Sequence, residues 1–249
     1  MSEVLEPEVL VGRRALVTGA GSGIGRAIAL RLVELGAHVI GVGRRVELLE
    51  ETAALAGPSF SARAVDLRDA GAVAEFAGGL EQLDVLVNNA GGQFIAAADA
   101  ISTRGFAAVL DLNLTAVARL IELTRPLMAS GASVINISLS GAERGLPGVA
   151  HSATARAAVA GLTRRLAREQ PDLRFYCLAP GTVLTDGKRA KHSQEDLDRI
   201  AATTPIVTLG EVAEWVAALA AGIAPRASGA VIELDGGVGL GYRAGLFAR

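Results

Sequence analysis

Short runs of strand-forming residues alternate with stretches of helical periodicity along almost the whole chain. Seven runs predict β-strands, at 15–18, 38–42, 61–65, 84–88, 133–138, 173–179 and 230–234. Between them, apolar residues recur at helical spacing at 24–35, 46–56, 70–76, 106–128, 153–169 and 211–221. Repeated βα units require parallel strands joined by right-handed crossovers. The sequence therefore predicts an α/β fold, a doubly wound three-layer αβα sandwich around a seven-stranded parallel sheet.

Composition and charge narrow the partners that we expect. No linker or low-complexity tract interrupts the 249 residues, which predicts a single domain over 1–249. The net charge of −2 is spread without blocks, which favours a small-molecule substrate over nucleic acid or a membrane surface. No apolar run reaches the ~18 residues of a membrane span, and no signal peptide is evident. Cys177 is the only cysteine, so we expect no internal disulfide and a cytoplasmic location. No metal-ligand spacing is present, and no metal is predicted.

A glycine-rich turn joins the first predicted strand to the first predicted helix. Glycines at such a turn let the backbone approach a pyrophosphate, whose charge is met by free N–H groups and the positive end of the helix. A plain tight turn is the alternative, but the strand–turn–helix context favours a Rossmann-type dinucleotide site. The cofactor contacts expected here come from Gly19, Ser22, Gly23, Ile24 and Gly25.

The end of the second strand indicates which nicotinamide cofactor is bound. A carboxylate about 20 residues beyond the glycines would bind the ribose 2′-hydroxyl and repel a 2′-phosphate. This chain has Arg44 and Arg45 there instead. Either guanidinium could pair with a phosphate, which favours NADP(H) over NAD(H). The alternative is that both arginines are solvated surface charges.

The segment 182–205 is polar, charged and the least regular part of the chain. Ligands of doubly wound folds bind at the carboxyl ends of the strands, so a long excursion after a late strand is a candidate substrate lid. A solvated surface helix and loop is the alternative.

Together these features resemble the short-chain dehydrogenase/reductase family over nearly the whole chain. The run 18–25 is similar to the family's cofactor loop, and Asp235-Gly236-Gly237 to its closing turn. The resemblance implies further cofactor contacts, from the pair beside the adenine, from the motif after strand four and from the segment beside the nicotinamide. These are Asp66 and Leu67, then Asn89, Ala90 and Gly91, then Pro180, Gly181, Thr182 and Val183, with Thr185 close by.

The catalytic run departs from the family pattern. Members usually carry a serine just after strand five and, further on, a tyrosine followed by three residues and a lysine. Aligned on Ala157-Ala158-Val159, this chain has Leu139, Ser152 and Arg156 at those three positions. The phenol that normally exchanges a proton with a carbonyl oxygen is therefore missing. Arg156 keeps the positive charge and can still bind the nicotinamide ribose.

Other polar residues near this run are candidates for contact with the substrate. Ser138 and Ser140 flank Leu139, and Ser138 is the candidate that we select. His151 precedes Ser152 and is either an acid or a structural histidine. Asn113 falls where the family's helix asparagine orders a proton-relay water. Of the two tyrosines, Tyr176 is expected in or beside the core, and Tyr242 lies in the tail.

Two stretches narrow the resemblance to one branch of the family. Gly92-Gln93-Phe94 and 151–157 are similar to the branch that contains peroxisomal trans-2-enoyl-CoA reductase and 2,4-dienoyl-CoA reductase, which also departs from the Tyr-x-x-x-Lys pattern. Reduction of a conjugated C=C bond needs a hydride at one carbon and a proton at the other, and an ordered water can supply that proton.

The sequence thus predicts an oxidoreductase, an NADP(H)-dependent reductase of an activated C=C bond, such as an enoyl thioester, or of a carbonyl. The alternative is a catalytically degenerate member with a regulatory, binding or non-redox role. The resemblance also implies a homo-oligomer, a dimer or tetramer with seams along helices near 113–128 and 153–169.

Overall fold

Seven parallel strands form one sheet in the computed structural model, which describes residues 5–190 and 192–240. They are β1 (Arg14–Thr18), β2 (His38–Gly43), β3 (Phe60–Ala64), β4 (Leu83–Asn88), β5 (Met128–Ile137), β6 (Arg174–Pro180) and β9 (Val231–Leu234). Their order is β3-β2-β1-β4-β5-β6-β9. The predicted doubly wound parallel sheet is confirmed. The strand order reverses between β1 and β4, the position at which such sheets leave a crevice for a ligand.

Helices cover both faces of this sheet. One face packs against α1 (Gly23–Glu34), α2 (Val46–Ala56) and α9 (Leu209–Ala221), and the other against α3 (Ala70–Gly78), α5 (Ala116–Thr124) and α6 (Ala150–Glu169). A further helix, α4 (Thr103–Leu110), contacts α6. The strands carry runs of Val, Leu and Ala that are buried on both faces, as expected for a parallel sheet between two helical layers. In the part of the chain that the structure describes, no helix is long and apolar enough to cross a membrane.

The stretch 106–128, predicted as one helix, is divided into three parts. Helix α4 ends at Leu110, a π-helical turn covers Asp111–Thr115, and α5 follows. A short 3₁₀ turn with Pro126 ends the helix because proline lacks the N–H that would continue it, and Met128 already belongs to β5. Helical periodicity alone does not reveal a π turn, since the apolar face continues through it.

The segment 182–205 is anchored at both ends. Its first residues form β7 (Thr182–Val183), which pairs in parallel with β8 (Ile206–Val207) just beyond its end. Between these strands lie α7 (Asp186–Arg189) and α8 (Gln194–Thr203). Thr185 and Ser193 cap them by accepting hydrogen bonds from Lys188 N and Asp196 N. The segment is therefore a structured excursion rather than an irregular loop.

A chain of buried polar side chains crosses the sheet next to the crevice. Asn88 Nδ2 donates to Asn136 Oδ1 at 2.8 Å, and Asn136 Nδ2 donates to Thr163 Oγ1 at 3.0 Å. Asn88 and Asn136 are register partners in β4 and β5. Elsewhere in the core, Tyr176 is fully buried and donates its hydroxyl to Ala224 O, as its place in a predicted strand suggests. Tyr242 lies outside the described residues.

Candidate active site

A cleft of about 340 Å³ opens at the carboxyl ends of β1 to β4, at the point where the strand order reverses. Four segments that follow these strands form most of its wall, and the start of α7 closes one side. The lining residues include Gly19, Gly21–Gly25, Gly43–Arg45, Val65–Leu67, Asn89–Gly91 and Thr185–Gly187. The structure therefore brings together the glycine loop, both arginines and the two resemblance-based motifs that follow β3 and β4.

The glycine loop needs glycine at specific points because other backbone approaches it closely. Gly19 has φ +70°, a left-handed conformation, and a Cβ there would lie 2.8 Å from Asn89 Nδ2. A Cβ at Gly25 would overlap with Gly19 O. Any side chain at position 25 would thus separate the start of α1 from the turn that precedes it.

Thr18 ties the glycine loop to the segment that follows β4. Its Oγ1 accepts hydrogen bonds from Asn89 N and Ala90 N, each at 2.9 Å, and Asn89 Nδ2 donates to Thr18 O at 2.9 Å. These bonds fix the two walls of the cleft relative to each other. Asn89 and Ala90 thus hold the two walls of the cleft together through their polar atoms, in addition to lining the cleft.

Arg44 and Arg45 are exposed on the cleft wall just after β2. In doubly wound folds, this is the side at which the adenosine of a dinucleotide binds. Arg45 Nη2 lies 3.4 Å from Ser22 Oγ, so the arginine pair and the loop hydroxyl are adjacent. Neither arginine forms a salt bridge with any residue in 5–190 or 192–240. The cluster can therefore bind an anion without first breaking an ion pair.

Asp66 is held by its own neighbour. Arg68 donates to the carboxylate from Nη2 at 2.6 Å, from Nε at 3.0 Å and from its backbone N–H at 3.1 Å. The Arg68 side-chain hydrogen bonds lower the pKa of Asp66 to about 2, although burial works against them. Arg119 of α5 donates to the carbonyl of the adjacent Leu67. The carboxylate is thus ionised and fixed at the cleft wall.

Arg156 extends from α6 into the interior behind the cleft. The residue is only 9% exposed, and its Nη1 donates to Ile137 O. Burial lowers the pKa of the guanidinium to about 10, and it forms no salt bridge with a described residue. At neutral pH the group is still a cation, since even this lowered pKa lies well above 7. An uncompensated positive charge is therefore placed beside Gly91.

Asn113 occupies the π-helical turn and uses its side chain to hold the loop after β4. Its Oδ1 accepts from Gly92 N at 2.9 Å, and its Nδ2 donates to Gly92 O at 2.8 Å. The side chain is fully buried. An amide group has two donors and two acceptor lone pairs, so one of each remains for another partner such as water.

His151 and Ser152 begin α6 and lack polar partners. His151 is completely buried, and neither ring nitrogen has a hydrogen-bond partner among the described residues. Its ring meets the edge of Phe94, with centroids 4.2 Å apart. Ser152 is 2% exposed, and in that same part of the chain no hydrogen bond involves its hydroxyl. The imidazole of His151 is thus desolvated without compensation, an arrangement that is costly and typical of functional sites.

The serines after β5 have other partners. Ser138 Oγ donates to Arg156 O at 3.1 Å, and Ser140 Oγ donates to the Asp235 carboxylate. Neither residue lines the cleft. The structure therefore does not bring the hydroxyl of Ser138, our candidate, to the reacting end of the cleft, and Leu139 between the two serines has no hydroxyl to offer.

The segment after β6 enters the cleft later than the sequence suggests. Gly181 N donates to Leu234 O at 2.7 Å, and Thr182 and Val183 form β7, so these residues and Pro180 do not line the cleft. Thr185, Asp186 and Gly187 line it instead, and Thr185 Cγ2 packs onto Gly23. The excursion 182–205 thus touches the glycine loop at its start.

Several lining residues were missing from the predicted set. Their side chains are mostly apolar and carry no chemical signal in the sequence. They are Gly43, Leu48, Leu49, Val65, Leu112, Asp186 and Gly187. Gly21 was the one with a signal, since it belongs to the glycine-rich turn. In the described ranges 5–190 and 192–240, no group of three or more His, Cys, Asp or Glu side chains is arranged to hold a metal ion.

Comparison with known proteins gives a consistent family assignment. The family model described as short chain dehydrogenase matches residues 13–196. A probable 2,4-dienoyl-CoA reductase of Caenorhabditis elegans is 33% identical over 95% of this chain and 83% of its own. Nodulation protein G of Rhizobium sp. strain N33 is 37% identical over 93% of this chain and 98% of its own. A solved structure of a candidate NAD(P)-dependent gluconate 5-dehydrogenase from Beutenbergia cavernae, with NADP bound at low occupancy, has a TM-score of 0.84 and 34% identity, covering 95% of this chain and all of that one.

Proposed function

The chain belongs to the short-chain dehydrogenase/reductase family, near its 2,4-dienoyl-CoA reductase branch, and on this premise we propose that it is an NADP(H)-dependent reductase of an activated C=C bond. An enoyl-thioester-like compound is the substrate class that we favour, with a carbonyl compound as the less favoured member of the same proposal. The observation that carries the proposal is a cleft that brings together the glycine loop, the arginine pair and the segments after β3 and β4, while the usual proton-donating tyrosine position holds Ser152.

NADP(H) is favoured because of the group at the end of β2. A 2′-phosphate would meet Arg44 and Arg45, and the run Gly43–Arg45 contains no carboxylate to repel it. The glycine loop offers a cradle that fits a pyrophosphate, since side chains are absent where the backbone must approach. Asp66 would face the adenine.

At the reacting end, we assign the positive charge to Arg156, whose guanidinium lies behind the cleft wall against Gly91. Bound NADPH would supply the hydride. Hydride addition to the far carbon of a conjugated C=C bond moves the electron pair toward the carbonyl oxygen, which gains negative charge. The guanidinium of Arg156 would contact the nicotinamide ribose. It would also stabilise the negative charge on the carbonyl oxygen, in a poorly hydrated setting.

A proton must then reach the neighbouring carbon, and three residues are suited to deliver or position it. Asn113 has one N–H and one lone pair left to order a water. The ring nitrogens of His151 have no hydrogen-bond partner among the described residues, and Ser152 follows it in the first turn of α6. Either side chain would hydrogen-bond the substrate oxygen. We assign Ser138 no contact with substrate, since its hydroxyl is bonded to Arg156 O.

A non-redox or regulatory role is the second candidate, and one observation favours it. Both serine hydroxyls after β5 are used in structural hydrogen bonds, and the family's serine position carries Leu139. A site without that hydroxyl lacks one of the groups that usually polarise a carbonyl. In this alternative the nucleotide is a structural component or is not bound at all.

Fluorescence titration with NADPH and NADH, followed by turnover assays, tests these candidates. The substrates are crotonyl-CoA, 2,4-hexadienoyl-CoA and a panel of ketones, with oxidation of NADPH as the readout. Tighter binding of NADPH than NADH and turnover of an unsaturated thioester are expected. Tight binding without turnover of any compound would favour the second candidate. Failure to bind either nucleotide would contradict the reductase and leave only the form of the second candidate in which no nucleotide is bound.

A further inference from the structure

The glycine loop is attached to α2 by a cluster of hydrogen bonds around Arg26. The side chain of Arg26 leaves the first turn of α1 and reaches across to α2. Nη2 donates to Gly21 O at 2.6 Å, to Leu48 O at 3.2 Å and to Glu51 Oε2 at 2.7 Å. Nε lies 3.1 Å from Gly21 O and 3.0 Å from Thr52 Oγ1. One guanidinium thus connects the loop to about one turn of α2, from Leu48 to Thr52.

Thr52 completes this cluster. It is fully buried, accepts the hydrogen bond from Arg26 and lies 3.1 Å from Ala20 O and 3.0 Å from Leu48 O, which compete for its single proton. We call Arg26, Glu51 and Thr52 the Arg26 clip. Its members do not line the cleft, so they would act on a bound nucleotide only through the loop.

The clip fixes the direction of two consecutive peptide groups. In a trans peptide, the C=O and N–H point in opposite directions. Because Thr52 and Arg26 hold the carbonyls of Ala20 and Gly21 toward α2, the N–H groups of Gly21 and Ser22 point away from α2. Gly21 and Ser22 line the cleft, and neither N–H has an acceptor among the described residues. Two free donors are therefore held in one orientation.

We propose that Arg26 and Thr52 are positioning residues that aim the Gly21 and Ser22 N–H groups at the pyrophosphate of the dinucleotide. This inference rests on the proposed nucleotide binding but not on the choice between NADPH and NADH, because both contain the pyrophosphate. Without the clip, the two peptide groups are free to rotate, and the loop loses affinity for that part of the ligand alone. The adenosine and its 2′-phosphate bind Arg44, Arg45 and Asp66, which the clip does not contact.

The test compares Arg26→Met, Thr52→Val and the control Arg31→Met. Arg31 lies in the same helix, α1, and pairs with Glu34 and Glu214, away from the loop. Dissociation constants for NADPH, NADH and 2′-AMP, which lacks the pyrophosphate, are measured for each variant, and circular dichroism and thermal unfolding show that each is folded. Thr52→Val is close in shape and keeps the proposal testable if Arg26→Met does not fold.

We expect each clip variant to weaken the binding of NADPH and the binding of NADH by a similar factor, about tenfold, because each variant loses hydrogen bonds that orient the loop. The affinity for 2′-AMP and all affinities of Arg31→Met should stay unchanged. Unchanged dinucleotide binding, or an equal loss of 2′-AMP, would overturn the role of the clip. If the unmodified protein prefers NADH, the cofactor proposal fails and the clip is tested with NADH against adenosine; if it binds neither nucleotide, both proposals fail.

Discussion

The backbone of Gly91 lies against the guanidinium of Arg156, so closely that a methyl group at position 91 would overlap with Nη2. The same methyl group would lie 2.7 Å from Asn113 Oδ1. One glycine therefore leaves space for two candidate site residues. Arg156 stands where the family resemblance leads us to expect a lysine, and its bulkier head group is accommodated beside a position, 91, that has no side chain.

Gly91→Ala should displace Arg156 from Ile137 O and disturb Asn113. We expect overpacking to reduce the free energy of unfolding by about 1–3 kcal/mol, measured by urea denaturation, and to lower the rate of NADPH oxidation more than the affinity for NADPH. Gly161→Ala is the matched control, since a Cβ there meets nothing within 4 Å in the same helix as Arg156. That change should stabilise by about 0.5–1 kcal/mol. Equal behaviour of the two variants would contradict the packing argument.

Arg44 and Arg45 are replaced by alanine one at a time. The variant that removes the main phosphate contact should weaken NADPH binding by about 10–100-fold. The affinity for NADH should change little, because NADH lacks the 2′-phosphate. Arg63→Ala serves as the control, since Arg63 is exposed and its guanidinium bonds only Ala62 O among the described residues. A parallel loss of NADH binding would show that the arginines act on the shared part of the nucleotide.

The Asp66–Arg68 pair should make stability depend on pH in the acid range. The folded pKa of Asp66 is lowered, to about 2 from a usual 3.8, so the pair contributes stability above about pH 4 and loses it as the pH falls toward 2. Arg68→Gln should lower the urea midpoint above pH 4, and the difference from the unmodified protein should vanish near pH 2. The effect will be modest, since both side chains are partly exposed. A difference that is the same at pH 5 and pH 2 would contradict this account.

Asp235→Asn should loosen the turn after β9. Burial disfavours the charged Asp235 carboxylate, yet hydrogen bonds from Ser140 Oγ, Gly239 N and Gly237 N bring its pKa below the usual value. We expect a loss of about 1–3 kcal/mol in the free energy of unfolding at pH 7, because charged hydrogen bonds are replaced by weaker ones. Asp99→Asn, at an exposed site, should change stability by less than ~0.5 kcal/mol. An equally small effect at Asp235 would show that this carboxylate is dispensable.

We propose that the segment 182–205, the candidate substrate lid, closes over the cleft once nucleotide is bound, and limited proteolysis tests this. Trypsin cleaves after lysine and arginine, and Lys188 and Arg189 lie in α7, next to the part of the segment that contacts Gly23. NADPH should slow cleavage there several-fold, because closure suppresses the local opening that proteolysis requires. Mass spectrometry of the fragments identifies the cut. Equal cleavage rates with and without NADPH would argue for a passive surface segment.

Much of the fold was predictable because it depends on local patterns. The seven strands follow from apolar runs bounded by turns, and α1, α2 and α9 from their helical periodicity. The π turn at Asp111–Thr115 was not, since it exists through the tertiary bonds of Asn113 to Gly92. The pairing of β7 with β8 likewise joins two dipeptides that have no periodicity to detect.

The candidate site shows the same division. Glycines and arginines at the ends of β1 and β2 have a chemical signal, and the structure places them together. The direction in which a serine hydroxyl points has no such signal in the sequence. Ser138 and Ser140 look equivalent in the sequence, yet one bonds a helix carbonyl and the other a carboxylate 95 residues away. Which side chains reach the cleft depends on contacts between distant segments, and these are invisible to a reading of neighbours along the chain.

The buried pair Asn88 and Asn136 has a consequence for how the sheet assembles. Aliphatic residues precede both amides, Val87 before Asn88 and Ile135 before Asn136, and a slip of β4 along β5 by two residues would keep the aliphatic side chains of both strands on their faces. The slip would separate the two amides and break the bond between Asn88 Nδ2 and Asn136 Oδ1, at a cost of about 1–3 kcal/mol for each polar group left unpaired. Asn136 would keep only its bond to Thr163. The amide pair thus disfavours wrong registers of β4 on β5 that the aliphatic side chains alone would tolerate. It thereby fixes the position at which Asn89, Ala90 and Gly91 leave the sheet to line the crevice.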